Sequence, residues 1–118
     1  MPTLILRTNL TEIETELESL LHQDFRHAIS NTIGKSQEFV LSIIDRRASM
    51  QFGTNNEPAA YCELKNVGIL NPQTTSQLTQ LICSIITQYL NISSRQIYIE
   101  FQESERHLWG WNGKTFAQ

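Results

Sequence analysis

The amino-acid sequence predicts an α/β fold: two β-α-β units that form a four-stranded sheet with two helices on one of its faces. Three observations lead there. Two apolar series, one from Ile13 to Ala28 and one from Leu78 to Tyr89, recur on steps of three and four residues, as amphipathic helices require. Runs rich in β-branched and apolar residues flank both series as strands. Their order is strand, helix, strand, then a linking segment near residues 46–58, then strand, helix, strand.

The elements follow in turn. Pro2 to Leu6 is short and mostly apolar and runs into the turn-like Arg7-Thr8-Asn9, so it reads as a buried strand. Thr11-Glu12-Ile13-Glu14 has the spacing of a capping box, in which a Thr hydroxyl and a Glu carboxylate each satisfy a backbone N–H left free at a helix start. A helix is expected to begin there. Its apolar stripe is Ile13, Leu17, Leu20, Leu21, Phe25 and Ala28, and Gly34 suits the left-handed position that ends it. Phe39 to Ile44 is apolar on both alternating faces, the pattern of an interior strand covered on both sides, and Asp45-Arg46-Arg47 stops it. A short piece around Met50-Gln51-Phe52 and the loop Gly53-Thr54-Asn55-Asn56 lead to a further strand from Ala59 to Val67. The second helix is introduced by Thr74, Thr75 or Ser76 and closes near Asn91. Gln96 to Phe101 alternates with period two, with Ile97, Ile99 and Phe101 on one face and Tyr98 and Glu100 on the other. The aromatic, Gly-punctuated tail from Leu108 to Phe116 reads as a short strand or hairpin. Two helices on one face leave the other, with apolar groups of its own, in need of a partner, so oligomerisation is expected.

Composition narrows the function. A chain of 118 residues, 40% hydrophobic and 18% charged, has the size and balance of one globular domain. A net charge of −3 offers no general attraction to nucleic acid or to an anionic membrane surface. No apolar run approaches the ~20 residues of a membrane span, and no basic region followed by a long apolar one marks export. Cys62 and Cys83 are 21 positions apart without a Cys-x-x-Cys pair or a His at ligand spacing, so neither a disulfide scaffold nor a metal site is expected. His22 and His27, five apart, do not share a helix face, whereas His107 precedes Leu108 and Trp109 and could touch a pocket there.

Pro2 is the first residue with chemistry to offer. An initiator Met before Pro is normally removed, which would leave a secondary amine on a rigid ring. An α-amino group titrates near ~8 in water, and burial beside another cation disfavours its charged form. Bringing it to about 6 takes roughly 2.7 kcal/mol and yields a neutral general base at pH 7. Behind a retained Met1 the same nitrogen is an amide without basicity, and Pro2 is then simply a tolerated residue.

Six fragments bear on the choice. Pro2-Thr3-Leu4-Ile5 with Thr8-Asn9, Ile33-Gly34-Lys35, Met50-Gln51-Phe52-Gly53 with Asn56-Glu57-Pro58, Val67-Gly68, Ile92 to Ile99, and Gly110 to Ala117 stand in an order and spacing that resembles the macrophage migration inhibitory factor family of the tautomerase superfamily. The resemblance covers essentially the whole chain and implies a single tautomerase-like domain over residues 1–118. It implies a homotrimer whose sheets line a central barrel, with sites between neighbouring subunits. It implies a cofactor- and metal-independent keto-enol tautomerase acting on small α-keto acids such as phenylpyruvate. In that scheme Pro2 is the catalytic base. Lys35 lowers its pKa and binds the substrate carboxylate, and the backbone N–H of Val67 contacts substrate. Tyr98 reaches into the neighbouring subunit's pocket, Trp109, Trp111 and Phe116 form apolar walls, and Phe39 stands at the rim.

This sequence departs from the family at Lys65 and Asn66, which differ from the commoner residues before Val67, and in two further places. Glu100 stands where better-studied members have Asn, and a carboxylate about 8 Å from the base would act with roughly 2 kcal/mol at an effective dielectric near 20, raising its pKa and repelling anions. Ala59 replaces the first Cys of a Cys-x-x-Cys pair found in some relatives, so thiol oxidoreductase chemistry is not implied. The expected location is cytoplasmic. Because the family includes secreted cytokine-like proteins, the alternatives are unconventional secretion and a protein-interaction module that binds a receptor with residual or no catalysis. A small-molecule-binding oligomer without catalysis is a third.

Overall fold

The computed structural model describes residues 1–118. Strand β1 spans Thr3–Thr8, helix α1 Thr15–Ile33, β2 Leu41–Asp45, β3 Ala60–Val67, helix α2 Pro72–Leu90 and β4 Ile97–Ser104, followed by a hairpin of β5 Gly110–Trp111 and β6 Lys114–Thr115. The sheet order is β2-β1-β3-β4. β1 runs parallel to β2 and β3 parallel to β4, while β1 and β3 meet antiparallel at the centre. A parallel pair needs a long crossover, and each helix supplies one, which gives the two β-α-β halves. No helix is long and apolar enough to cross a membrane.

The period-two and period-3.6 patterns meet in one core. Leu4 lies across from Leu64 and Leu6 across from Cys62 on the covered face of the sheet. Against them α1 buries Leu21, Phe25 and Ile29, and α2 buries Leu78, Ile82 and Ile86. Each set is spaced by four, so one line of each helix faces the sheet; full burial of such a side chain contributes about 1.5–3 kcal/mol. Cys62 belongs to this core, and burial, with Cys83 nearby, pushes its thiol up to about 12. It is an apolar packing group rather than a nucleophile.

Several local expectations are corrected. α1 starts at Thr15 rather than at the capping box: Glu14, the carboxylate of that box, is the residue before the helix and its side chain makes no cap hydrogen bond, while Glu12 pairs with Arg46 at 3.3 Å and Arg47 at 2.7 Å and Arg47 donates to the Thr11 carbonyl. Long-range ion pairs hold the stretch that local spacing assigned to a cap. Leu20 turns toward solvent, and Ile29 rather than Ala28 completes the deep stripe. β2 is an edge strand, not an interior one, with Leu41 55% and Ile43 36% exposed. The piece around Phe52 makes only a single bridge, to Asn55. α2 begins earlier than Thr74, with Asn71 as its cap accepting from the Thr74 N–H at 2.8 Å and Pro72 in its first turn. β4 continues past Phe101 to Ser104.

The bare face of the sheet is also more polar than expected. Ile5, Leu41 and Ile43 share it with Arg7, Asp45, Glu63 and Lys65. Arg7 lies 3.8 Å from both Asp45 and Glu63, and Lys65 3.9 Å from Glu63.

Candidate active site

The start of β1 is where chemistry-bearing residues gather. Pro2 is buried and its carbonyl accepts from the Leu41 N–H at 3.1 Å, extending the β1-β2 ladder outward. Beside it opens a groove of about 350 Å³ whose lining includes Met1, Thr3, Glu38, Phe39, Trp109, Trp111 and Phe116. A 3-10 turn over Gln37–Phe39, capped by the Ser36 hydroxyl, sets Phe39 at the rim. The hairpin reverses at Asn112 and Gly113, both at positive φ, 54° and 79°. Its return leg is tied by the Phe116 N–H to the Trp109 carbonyl at 3.1 Å and by Arg106 to the Phe116 carbonyl at 2.8 Å. The result is an aromatic wall. Trp111 meets Phe39 edge-on at 5.4 Å and lies nearly parallel to Phe116 at 6.4 Å.

Lys35 is delivered by the end of α1. Gly34 takes φ 78°, where a side chain would be strained, and its N–H closes the helix on the Ser30 carbonyl at 2.9 Å. The chain then turns, Ser30 Oγ holds the Lys35 carbonyl, and Lys35 Nζ donates to the Val67 carbonyl at 2.9 Å. The ammonium group therefore sits between the end of β3 and the start of β1. Burial, then a hydrogen bond and charge repulsion from Lys35, bring the N-terminal amine of Met1 from 8.0 down to about 5. An amine that is neutral at pH 7 thus stands beside a lysine at the mouth of an apolar groove.

Pro2, Lys35, Val67, Phe39, Trp109, Trp111 and Phe116 accordingly fall in one region. Tyr98 and Glu100 do not. Tyr98 pairs with Tyr61, which pairs with Arg7 at the far end of β1, so it lies two strands over and roughly 17 Å along the strand from Pro2. It is 65% exposed and packs on Phe52 with ring centroids 4.7 Å apart. Glu100, on the bare sheet face, accepts at 3.4 Å from the Tyr61 hydroxyl, which also donates to Glu63 at 3.0 Å. Both lie far from the Pro2 of their own chain. His107 also lies outside the groove, exposed and 2.8 Å from the Glu105 carboxylate. Sequence reasoning missed Thr3 and Glu38 as lining residues. Strand alternation after Pro2 was the available signal for Thr3.

Two β-α-β halves joined through an antiparallel centre, with an amine, a lysine and an aromatic wall gathered where the first strand begins, define a domain of the tautomerase superfamily. More narrowly, the chain belongs to the macrophage migration inhibitory factor family, whose model, described as Macrophage migration inhibitory factor (MIF), matches residues 1–117. It is 31% identical over 117 residues to the macrophage migration inhibitory factor of Xenopus laevis, covering 99% of this chain and all of that one. The crystal structure of a homologue from Prochlorococcus marinus superposes with a TM-score of 0.90 at 31% identity, over 97% of this chain and 98% of the other. A MIF-like protein from Entamoeba histolytica shares the fold, with a TM-score of 0.89 at 21% identity over 98% of each chain.

Proposed function

We propose that the protein is a cofactor-independent tautomerase that interconverts the keto and enol forms of small α-keto acids, phenylpyruvate-like compounds foremost, as a homotrimer with Pro2 as general base. One observation carries the reading: the N-terminal amine of Met1, just before β1, lies at an apolar groove beside Lys35, where burial and that lysine lower its pKa to about 5. Removal of Met1 transfers the free amine to the Pro2 ring, one residue further in. Its neutral nitrogen takes the proton from the carbon next to the substrate carbonyl, and the electrons of that C–H bond form the enolate. Negative charge then grows on the carbonyl oxygen, where the Lys35 ammonium and the Val67 N–H stabilise it. Water protonates the oxygen, and the proton held on Pro2 returns to solvent. In the reverse direction the prolinium gives its proton to carbon. The proton travels between substrate carbon and Pro2, so no cofactor takes part.

Trp109, Trp111, Phe116 and Phe39 hold an aryl side chain, and Lys35 also draws the substrate carboxylate into the groove. Tyr98 and Glu100 complete a neighbour's site. The distance of both from their own Pro2, and the open edge at Leu41 and Ile43, support a shared site. There Glu100 opposes Lys35, which favours substrates able to donate a hydrogen bond to a carboxylate over doubly anionic ones.

The names of the relatives support a second reading, a cytokine-like module that binds a protein receptor and keeps an idle groove. One experiment separates the two. After mass spectrometry establishes the N-terminus, enol-to-keto conversion of phenylpyruvate is followed by absorbance for the wild type, Pro2→Gly and a Met1-retained form. The two altered forms are expected to lose about 10²-fold or more of the rate. Equal background rates in all three would refute catalysis and assign the chain to the second reading.

A further inference from the structure

One buried polar group is left without a partner. Asn66 is 1% exposed, and its Oδ1 accepts no hydrogen bond. An unpaired acceptor of this kind is destabilising, so its position in the sheet is informative. In the β1-β3 ladder Thr3 pairs with Lys65 and Leu4 with Leu64, which makes Pro2 and Asn66 the next pair outward. Alternation puts Asn66 on the helix-covered face with Leu64 and Cys62, and Pro2 on that same face with Leu4; all are buried. Directly opposed residues bring their Cβ atoms to about 4.5–5.5 Å. Val67, the next residue on β3, holds Lys35 Nζ through its carbonyl. Behind Met1 the Pro2 nitrogen has no hydrogen to give. With Met1 removed it carries one N–H when neutral and two when protonated.

We infer that Asn66 is a positioning residue for Pro2: its buried Oδ1 accepts an N–H of the liberated prolyl nitrogen and so turns the nitrogen lone pair toward the groove. The inference rests on the proposed function. A neutral secondary amine has one N–H and one lone pair, so holding the first directs the second. The same acceptor favours the protonated form and works against Lys35. The other charged groups around this point are Glu38 at the groove rim, Lys65 on the opposite face of the sheet, and Glu103, whose carboxylate is taken by the Leu70 N–H at 2.6 Å. The hairpin residues in the groove are uncharged.

Nitrogen-15 proline labelling tests this directly, because of Pro2, Pro58 and Pro72 only a liberated Pro2 has a nitrogen that titrates. Asn66→Leu keeps the branched shape, at a larger volume, and deletes the acceptor. Asn66→Ala also deletes the acceptor, with a smaller side chain, and serves if the leucine variant does not fold. Either is expected to lower the Pro2 pKa by about one pH unit and kcat roughly tenfold, with KM for phenylpyruvate little changed. A Pro2 that titrates in the wild type, with the same pKa in a folded variant, overturns the role of Asn66 and leaves the proposed function standing. A wild-type Pro2 nitrogen that does not titrate overturns both.

Discussion

Replacing Lys35 with Met keeps the alkyl stem and removes the ammonium group, and its effects on base strength and on substrate binding separate cleanly. In the wild type Lys35 Nζ bonds the Val67 carbonyl at 2.9 Å and touches the N-terminal amine. Burial is the larger cause of the low amine pKa and survives the substitution, so the pKa recovers only in part. Lys35 supplies the causes that rank below burial in the fall from 8.0 to about 5, so its loss returns roughly one pH unit, or about 1.4 kcal/mol. Removing a positive neighbour stabilises the protonated amine, so the acid limb of the kcat/KM profile should move up by that amount. Losing a charge-assisted contact to the substrate carboxylate costs about 1.5–3 kcal/mol, which raises KM for phenylpyruvate roughly 10- to 100-fold. Binding is therefore expected to suffer more than base strength. Steady-state absorbance assays between pH 5 and 8 on protein of confirmed N-terminus would read both quantities, with a thermal melt to confirm folding. An unmoved acid limb together with an unchanged KM would refute the placement of Lys35 beside base and substrate.

The remaining predictions concern assembly, the N-terminus and the end of α1. Mixing Pro2→Gly subunits with subunits carrying Tyr98→Ala and Glu100→Ala, after unfolding and refolding together, should restore roughly a quarter of wild-type activity, because each shared site draws independently on two chains. No recovery would place the whole site within one chain. In a Met1-retained chain the folded amine titrates at about 5 against 8.0 unfolded, so stability is highest above pH 8 and falls as pH drops toward 5. Its urea midpoint should therefore decline relative to an N-acetylated chain over that window, and parallel curves would contradict the buried amine. Gly34→Ala meets no neighbour within 4 Å but forces a side chain onto φ 78°, so it should cost roughly 1–2 kcal/mol in urea unfolding. A neutral result would show that the helix end relaxes freely.

How far the fold and site can be read from residues alone varies with range. The apolar spacing of Leu21 with Phe25 and of Leu78 with Ile82 and Ile86 marks both helices, and the alternation of Ile97, Ile99 and Phe101 marks β4. The start of α1 escaped because Thr11 and Glu12 are held by Arg46 and Arg47, more than thirty positions away, and Glu14 caps nothing with its side chain. β2 misled for a different reason. Apolar residues on both faces of a strand announce burial without saying by what, and Leu41 and Ile43 face an open edge in a single chain. Pro2, Lys35 and the aromatic hairpin could be nominated from short fragments. Nothing in those fragments disclosed that Lys35 would lodge on the Val67 carbonyl or that Asn66 would be shut in opposite Pro2.

Helices, strands and the chemical types available at the groove were written in residue order, since each depends on side-chain periodicity within one or two turns or on a single residue's chemistry. Strand order, the register that pairs β1 with β3, and the separation of Tyr98 from its own Pro2 arose only when segments 37 to 62 positions apart packed together. Hydrogen-bond ladders and buried area are shared between distant parts of the chain, and a local pattern carries no record of its eventual partner.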